Sequence, residues 1–86
     1  MDRLHSMAVF IKAADTGSFA AAGAAMGMSS QMAGKHVFAL EDRIGAKLLN
    51  RTTRRQSLTE VGQQFYERCK VILAEVEAAE SVARDL

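Results

Sequence analysis

Apolar residues in the first 45 positions recur at helical spacing, and each run ends at a glycine. Leu4, Met7, Ile11 and Ala14 are separated by three, four and three residues, with Ala8 widening the stripe, which predicts an amphipathic helix stopped by Gly17. Ser18 follows as a natural N-cap for a second helix, Phe19 to Met26, built almost wholly of Ala, Gly and Met and ended by Gly27. Ser29 or Ser30 caps a third helix whose apolar face takes Ala33, Val37, Leu40 and Ile44, at spacings of four, three and four, before Gly45 closes it. Its other face carries Gln31, Gly34, Lys35 and Phe38 or Ala39, and its leading end is small and polar.

From Leu48 the pattern loses its helical period. Leu48, Leu49 and Leu58 flank a stretch of Thr, Arg, Asn and Ser that predicts a two-stranded hairpin over residues 48–58 with Arg51 to Arg55 at its tip. Thr59 then caps a last helix. Phe65, Cys69, Ile72, Val76, Ala79, Ala83 and Leu86 alternate spacings of four and three through it, a heptad seam. A helix over residues 60–86 is roughly 40 Å long at 1.5 Å per residue, too long to be covered by the residues before it. The seam is therefore expected to meet a second copy of itself.

The chain's 86 residues fit one small domain, read as a head over residues 1–59 and a linker or dimerisation helix over 60–86. An apolar fraction of 49% excludes compositional disorder, and the lack of a long apolar run or a signal-like start predicts a soluble, cytoplasmic protein without a membrane partner. The net charge of +1 hides an asymmetry. Residues 1–34 balance; Lys35, Arg43, Lys47, Arg51, Arg54 and Arg55 against Glu41 and Asp42 give residues 35–59 a charge of +4; and residues 60–86 carry −3. A basic centre with an acidic tail suits one anion-binding face.

A short helix, a glycine turn and a longer helix with a polar leading end make a helix-turn-helix, a unit that presents its second helix to the DNA major groove. The arginine-rich hairpin then reads as a wing along a phosphate backbone or into a minor groove. With Gly17-Ser18-Phe19, the Gly27 turn, Leu40-Glu41 with Gly45, Leu49 with Arg51-Thr52, and Leu58-Thr59 with Gly62, the chain strongly resembles the N-terminal DNA-binding domain of LysR-type transcriptional regulators. The resemblance covers essentially the whole chain. It implies a mainly α fold, a winged helix-turn-helix of three helices and a two-stranded wing followed by a long linker helix that pairs antiparallel with its partner. It further implies a homodimer on double-stranded promoter DNA, with the recognition helix at about 29–44 in the major groove and the family's effector domain absent from this chain.

Carried over by position, Ser30, Gln31, Gly34 and Lys35 fall at base-reading and phosphate-contacting places, Ser18 and Ser29 at helix starts that meet phosphate, and Arg51, Thr52 and Arg54 in the wing, with Arg55 beside them. Gly34 stands where the family commonly has serine, and Lys35 replaces a frequent arginine, keeping the charge without the bidentate fork. Gln31 has two readings, an adenine contact or an ordinary exposed polar residue. His36 is read as partly packed or as a phosphate neighbour, since no second ligand stands at metal spacing. Cys69 is read as a small core residue on the seam ahead of a redox sensor, and the methionines Met7, Met26, Met28 and Met32 as core filling. Phe38 is read as facing outward beside the packed stripe, where a second interface is the alternative to an idle surface residue. No cofactor, metal site or enzyme activity is expected, because no nucleophile with a base, paired carboxylates or glycine-rich phosphate loop is present.

Overall fold

Asp2 begins the first helix by accepting a hydrogen bond from the Leu4 amide at 3.0 Å, which satisfies one of the free donors of the opening turn. The computed structural model describes residues 1–51 and 56–86. In chain order these form α1 (Arg3–Thr16), α2 (Phe19–Met26), α3 (Ser30–Ile44), β1 (Leu49–Arg51), β2 (Gln56–Leu58) and α4 (Glu60–Asp85). The predicted winged helix-turn-helix with a long trailing helix is present. The hydroxyls of Ser18, Ser29 and Thr59 accept from the amides of Ala21, Met32 and Gly62 at 3.0, 3.1 and 2.9 Å, and Gly17, Gly27 and Gly45 close the three shorter helices.

The core gathers Val9, Phe10 and Ala13 of α1, Ala22 of α2, Ala33, Val37 and Leu40 of α3, Leu48 just before β1, Leu49 of β1, and Cys69 of α4. Three expectations change here. Met32, expected as core filling with Met7, Met26 and Met28, is 40% exposed and lies outside the core that takes the other three. The buried face of α1 is Ser6, Val9, Phe10 and Ala13, so the helix is rotated by about one residue from the stripe of Leu4, Met7, Ile11 and Ala14, of which Leu4 is exposed and the others half-buried. Ile44 ends the apolar face of α3 in sequence, yet it is 39% exposed in the last turn.

α4 starts inside the head. Phe65 packs on Phe10 with ring centroids 5.6 Å apart, the Tyr66 hydroxyl donates to Asp15 at 2.5 Å, and Cys69 is wholly buried. Burial pushes the Cys69 thiol up to about 11, leaving almost no thiolate near neutrality, as befits a core residue. The helix approaches so closely that a Cβ on Gly62 would stand 2.0 Å from the Leu48 carbonyl oxygen. That same carbonyl accepts from the Thr59 amide at 3.0 Å, while the Thr59 hydroxyl donates to Lys47. Past Cys69 no residue of α4 is buried, and the molecule measures 49 Å along its longest axis against 26 and 21 Å across.

Strands β1 and β2 pair antiparallel, Leu49 opposite Leu58, Asn50 opposite Ser57 and Arg51 opposite Gln56. Their place is fixed by a carboxylate. Glu41, 6% exposed, accepts from the Leu48 amide at 2.8 Å, from the Leu49 amide at 3.4 Å and from the Arg51 guanidinium at 2.8 Å. On the opposite flank the Gln56 amide donates to the Gly17 carbonyl at 3.2 Å, which ties the wing to the α1–α2 junction.

A second buried polar pair joins α1 to α3. The Ser6 hydroxyl and His36 Nδ1 share a hydrogen bond at 2.8 Å, and the His5 ring stands edge-on to His36 with centroids 5.0 Å apart. Burial foremost, then the neighbouring His5 and the N-terminal amine, hold the His36 imidazole below its ordinary pKa, with Asp2 opposing weakly.

Replacing Glu41 by Ala strands two amides and a guanidinium, so unfolding by urea should lose about 2–3 kcal/mol, and the Leu48 and Leu49 amides should exchange faster with solvent. For His36 the unfolded chain takes up a proton that the folded chain refuses. Stability should therefore hold above about pH 6.5 and fall as the pH drops below it. Urea midpoints across that range should show this slope in the parent and a flatter one in His36→Gln.

Candidate nucleic-acid interface

The turn between α2 and α3 is made tight by Gly23, where a Cβ would lie 2.5 Å from the Met28 carbonyl oxygen and 2.9 Å from that of Ser29. This closeness leaves the opening turns of α3 projecting from the surface. Ser29, Ser30, Gln31 and Lys35 are all exposed there, and with the Ser29 hydroxyl engaged in capping, the groups without a partner among the described residues are the Ser30 hydroxyl, the Gln31 amide and the Lys35 ammonium. Such a face offers hydrogen bonds and positive charge. Ser18 is half-buried, its side chain occupied by its cap on α2.

Two other sequence candidates on α3 point elsewhere. Gly34 is buried, its missing Cβ replaced by the Phe19 ring at 3.3 Å, so the glycine admits an aromatic side chain from α2 and presents no group outward. His36 is turned into the α1 seam by Ser6 and is not on the exposed face. The spacing along α3 could have separated these positions from Gln31 and Lys35 only with knowledge of which neighbour each flank meets.

Arg51 also takes a different place from the one expected. Besides the Glu41 bond, its guanidinium lies 4.2 Å from the centroid of the Phe38 ring and 5.7 Å from that of Phe19, and the two rings meet edge-to-face at 5.8 Å. The side chain is 31% exposed. Arg51 thus works as a bolt between wing and α3. Thr52, Arg54 and Arg55 lie outside the described residues. Lys47, 3.9 Å from Glu41 and 72% exposed, is a basic group at the mouth of the wing that sequence reasoning counted only as charge.

Glu41 entered the sequence reading as charge and, with Leu40 and Gly45, as part of the family resemblance, without a structural task. Its signal was in the pattern, since it stands four residues after Val37 and next to Leu40, within the flank that the core covers, where a carboxylate needs donors.

On α4 the seam divides. Phe65 and Cys69 serve the head's own core, whereas Ile72 is 39% exposed, Val76 half-buried, and Ala79, Ala83 and Leu86 exposed; Val71 and Val82 add exposed apolar surface at 64% and 56%. No helix of the described residues is long and apolar enough to cross a membrane, and among them no three His, Cys, Asp or Glu side chains gather as a metal site.

Residues 4–63 match the family model of bacterial regulatory helix-turn-helix proteins of the lysR family. An HTH-type transcriptional repressor of Pseudomonas aeruginosa is 40% identical over 84 residues, 98% of this chain and 26% of that protein. The HTH-type transcriptional activator AaeR of Escherichia coli K12 is 44% identical over 77 residues, 90% of this chain and 25% of that protein. The chain thus spans about a quarter of the length of these curated relatives. Among solved structures, the CbnR DBD–DNA complex superposes with a TM-score of 0.91 at 29% identity, covering 99% of this chain and 97% of that one. Full-length CbnR complexed with its target DNA gives 0.89 at 30% identity, covering 98% of this chain and 29% of that one. With more than half of its residues inside the family model, and the helix-turn-helix, turn and wing in the family's order, the chain belongs to the LysR family of bacterial regulatory helix-turn-helix proteins.

Proposed function

We propose that this chain binds double-stranded DNA sequence-specifically as a homodimer, as the DNA-binding part of a bacterial transcription regulator. In this reading α3 enters the major groove, and the wing over residues 48–58 follows the backbone or the minor groove. The observation that carries it is the exposed leading face of α3, where Gln31 and Lys35 stand free of packing on a helix whose other flanks are bound to α1, α2 and the wing. The likeness to CbnR bound to DNA supports the same reading.

Roles follow from side-chain chemistry. Lys35 supplies a point charge to phosphate or a guanine edge, and Gln31 can offer the donor–acceptor pair that matches adenine. Ser29 and Ser30 bring the free amides of the α3 N-terminus towards phosphate. Lys47, Arg54 and Arg55 supply the wing's charge, while Arg51 acts through the wing's position. Residues 1–59 with the first three turns of α4 then form the DNA-reading head, and the rest of α4 pairs with its partner through Ile72, Val76, Ala79, Ala83 and Leu86.

Selection from a random duplex pool should yield an inverted repeat. Lys35→Ala should weaken binding to all duplexes and reduce the log–log salt slope by about 0.9, whereas Gln31→Ala should cost about 1–3 kcal/mol at its own base pair and relax the preference there. Unchanged affinity and slope in both variants would remove α3 from the interface. Placing Asp at Ile72 and Val76 should convert dimers to monomers in sedimentation, since it introduces unpaired charge into an apolar seam. Persistence of the dimer would reject that seam.

A further inference from the structure

Phe38 is a large aromatic side chain left exposed on α3. It is 45% exposed and lies on the same stripe of α3 as Gln31 and Lys35, at steps of four and three residues. A solitary exposed aromatic is ordinary. This one is held from three sides. Phe19 meets it edge-to-face at 5.8 Å and 88°, the Arg51 guanidinium lies 4.2 Å from its centroid, and Gly34 leaves the space beneath it, where a Cβ would reach 3.6 Å from the ring. Its free side borders an open hollow between Lys35 and Lys47.

On the reading that α3 enters the major groove, we infer that Phe38 is a specificity-determining residue that reads the 5-methyl group of a thymine beyond the base pairs met by Gln31 and Lys35. The chemistry selects this ligand. An aromatic ring has no donor for a phosphate oxygen, and its negative π-face repels one. The base edges of the major groove offer one apolar feature, the thymine methyl, and a phenyl ring is among the side chains that contact it. Glu41 and Asp42 line the hollow with the two lysines, so it adds no net charge of its own and the ring's contribution is apolar, while the Phe19–Arg51 packing holds the ring in one orientation without cost at binding. Gly34 enters the same device, because a larger residue there presses on Phe19.

The test uses the whole chain and the site recovered from the random duplex pool, with each thymine replaced in turn by uracil, which removes the methyl and keeps every hydrogen-bonding group. One position should show about a fourfold loss of affinity with the parent chain, the value of one methyl removed from water. Phe38→Ala should bind thymine and uracil at that position equally, and Phe38→Leu should keep part of the difference, both variants having the parent's circular dichroism and the parent's salt slope. Equal uracil penalties in parent and Phe38→Ala at every position would overturn the thymine contact and leave DNA binding intact. Failure of the parent chain to retain any duplex would overturn the DNA-binding reading itself.

Discussion

A carboxylate taken out of water must be answered by donors, and the way Glu41 is answered determines how the second half of the head is built. It draws on the amides of Leu48 and Leu49, the first residues after the α3–β1 turn, and on the guanidinium that ends β1. Its own backbone carbonyl accepts from Gly45 and Ala46 at 2.8 and 3.2 Å, so the turn that leads into the wing folds around the same residue. The wing therefore cannot tilt against α3 without exposing unpaired groups. Lys47 and Leu48 pass the constraint on, since their carbonyls receive the Thr59 side chain and amide, and Gly62 lets α4 lie directly on Leu48. One buried charge thus orients α3, the wing and the root of α4 as a single body.

This dependence explains what could be read in the chain and what could not. Helix ends are local events, and the three glycine stops and the serine and threonine caps were legible because each uses only its own neighbours' amides. Burial is not local. In α1 Leu4, Met7, Val9, Phe10 and Ile11 are apolar around most of the circumference, so spacing alone fits two stripes, and the buried one contains Ser6 because His36 comes across from α3 to meet it. The polar residues Glu41, His36 and Ser6 carry no hydrophobic period at all, yet they decide the packing.

The same limit applies to the surface. Six basic residues between positions 35 and 59 suggested an anion-binding face, but charge in a sequence does not say whom it serves. Arg51 is spent on Glu41 and on two aromatic rings, a use that asks for its planar guanidinium and that lysine would not fill. Gly34, a polar-face position by its place on the helical wheel, is a socket for Phe19. What the sequence did convey was the leading edge of α3, because Ser29, Ser30, Gln31 and Lys35 precede or flank the packed stripe and answer to no distant partner among the described residues.

The periodicity of α4 is continuous although its burden changes along its length. Phe65 and Cys69 fix the helix to the head, and Ile72 and Val76 follow on the same face, three and seven residues beyond Cys69. No glycine interrupts α4 after Gly62, and the chain contains no proline at all, so the rotation set in the head by Phe10, Tyr66 and Cys69 is transmitted to the exposed seam. A partner docking on that seam would meet a helix whose direction is already locked to α3 through Leu48 and Glu41. In the proposed dimer the separation of the two α3 helices, and hence of the half-sites, would then follow from core packing inside each head as much as from the contact between copies. Small residues at Ala79 and Ala83 would let the far ends of the helices approach closely, and a bulky replacement there should alter the spacing between heads while leaving each head's own fold intact.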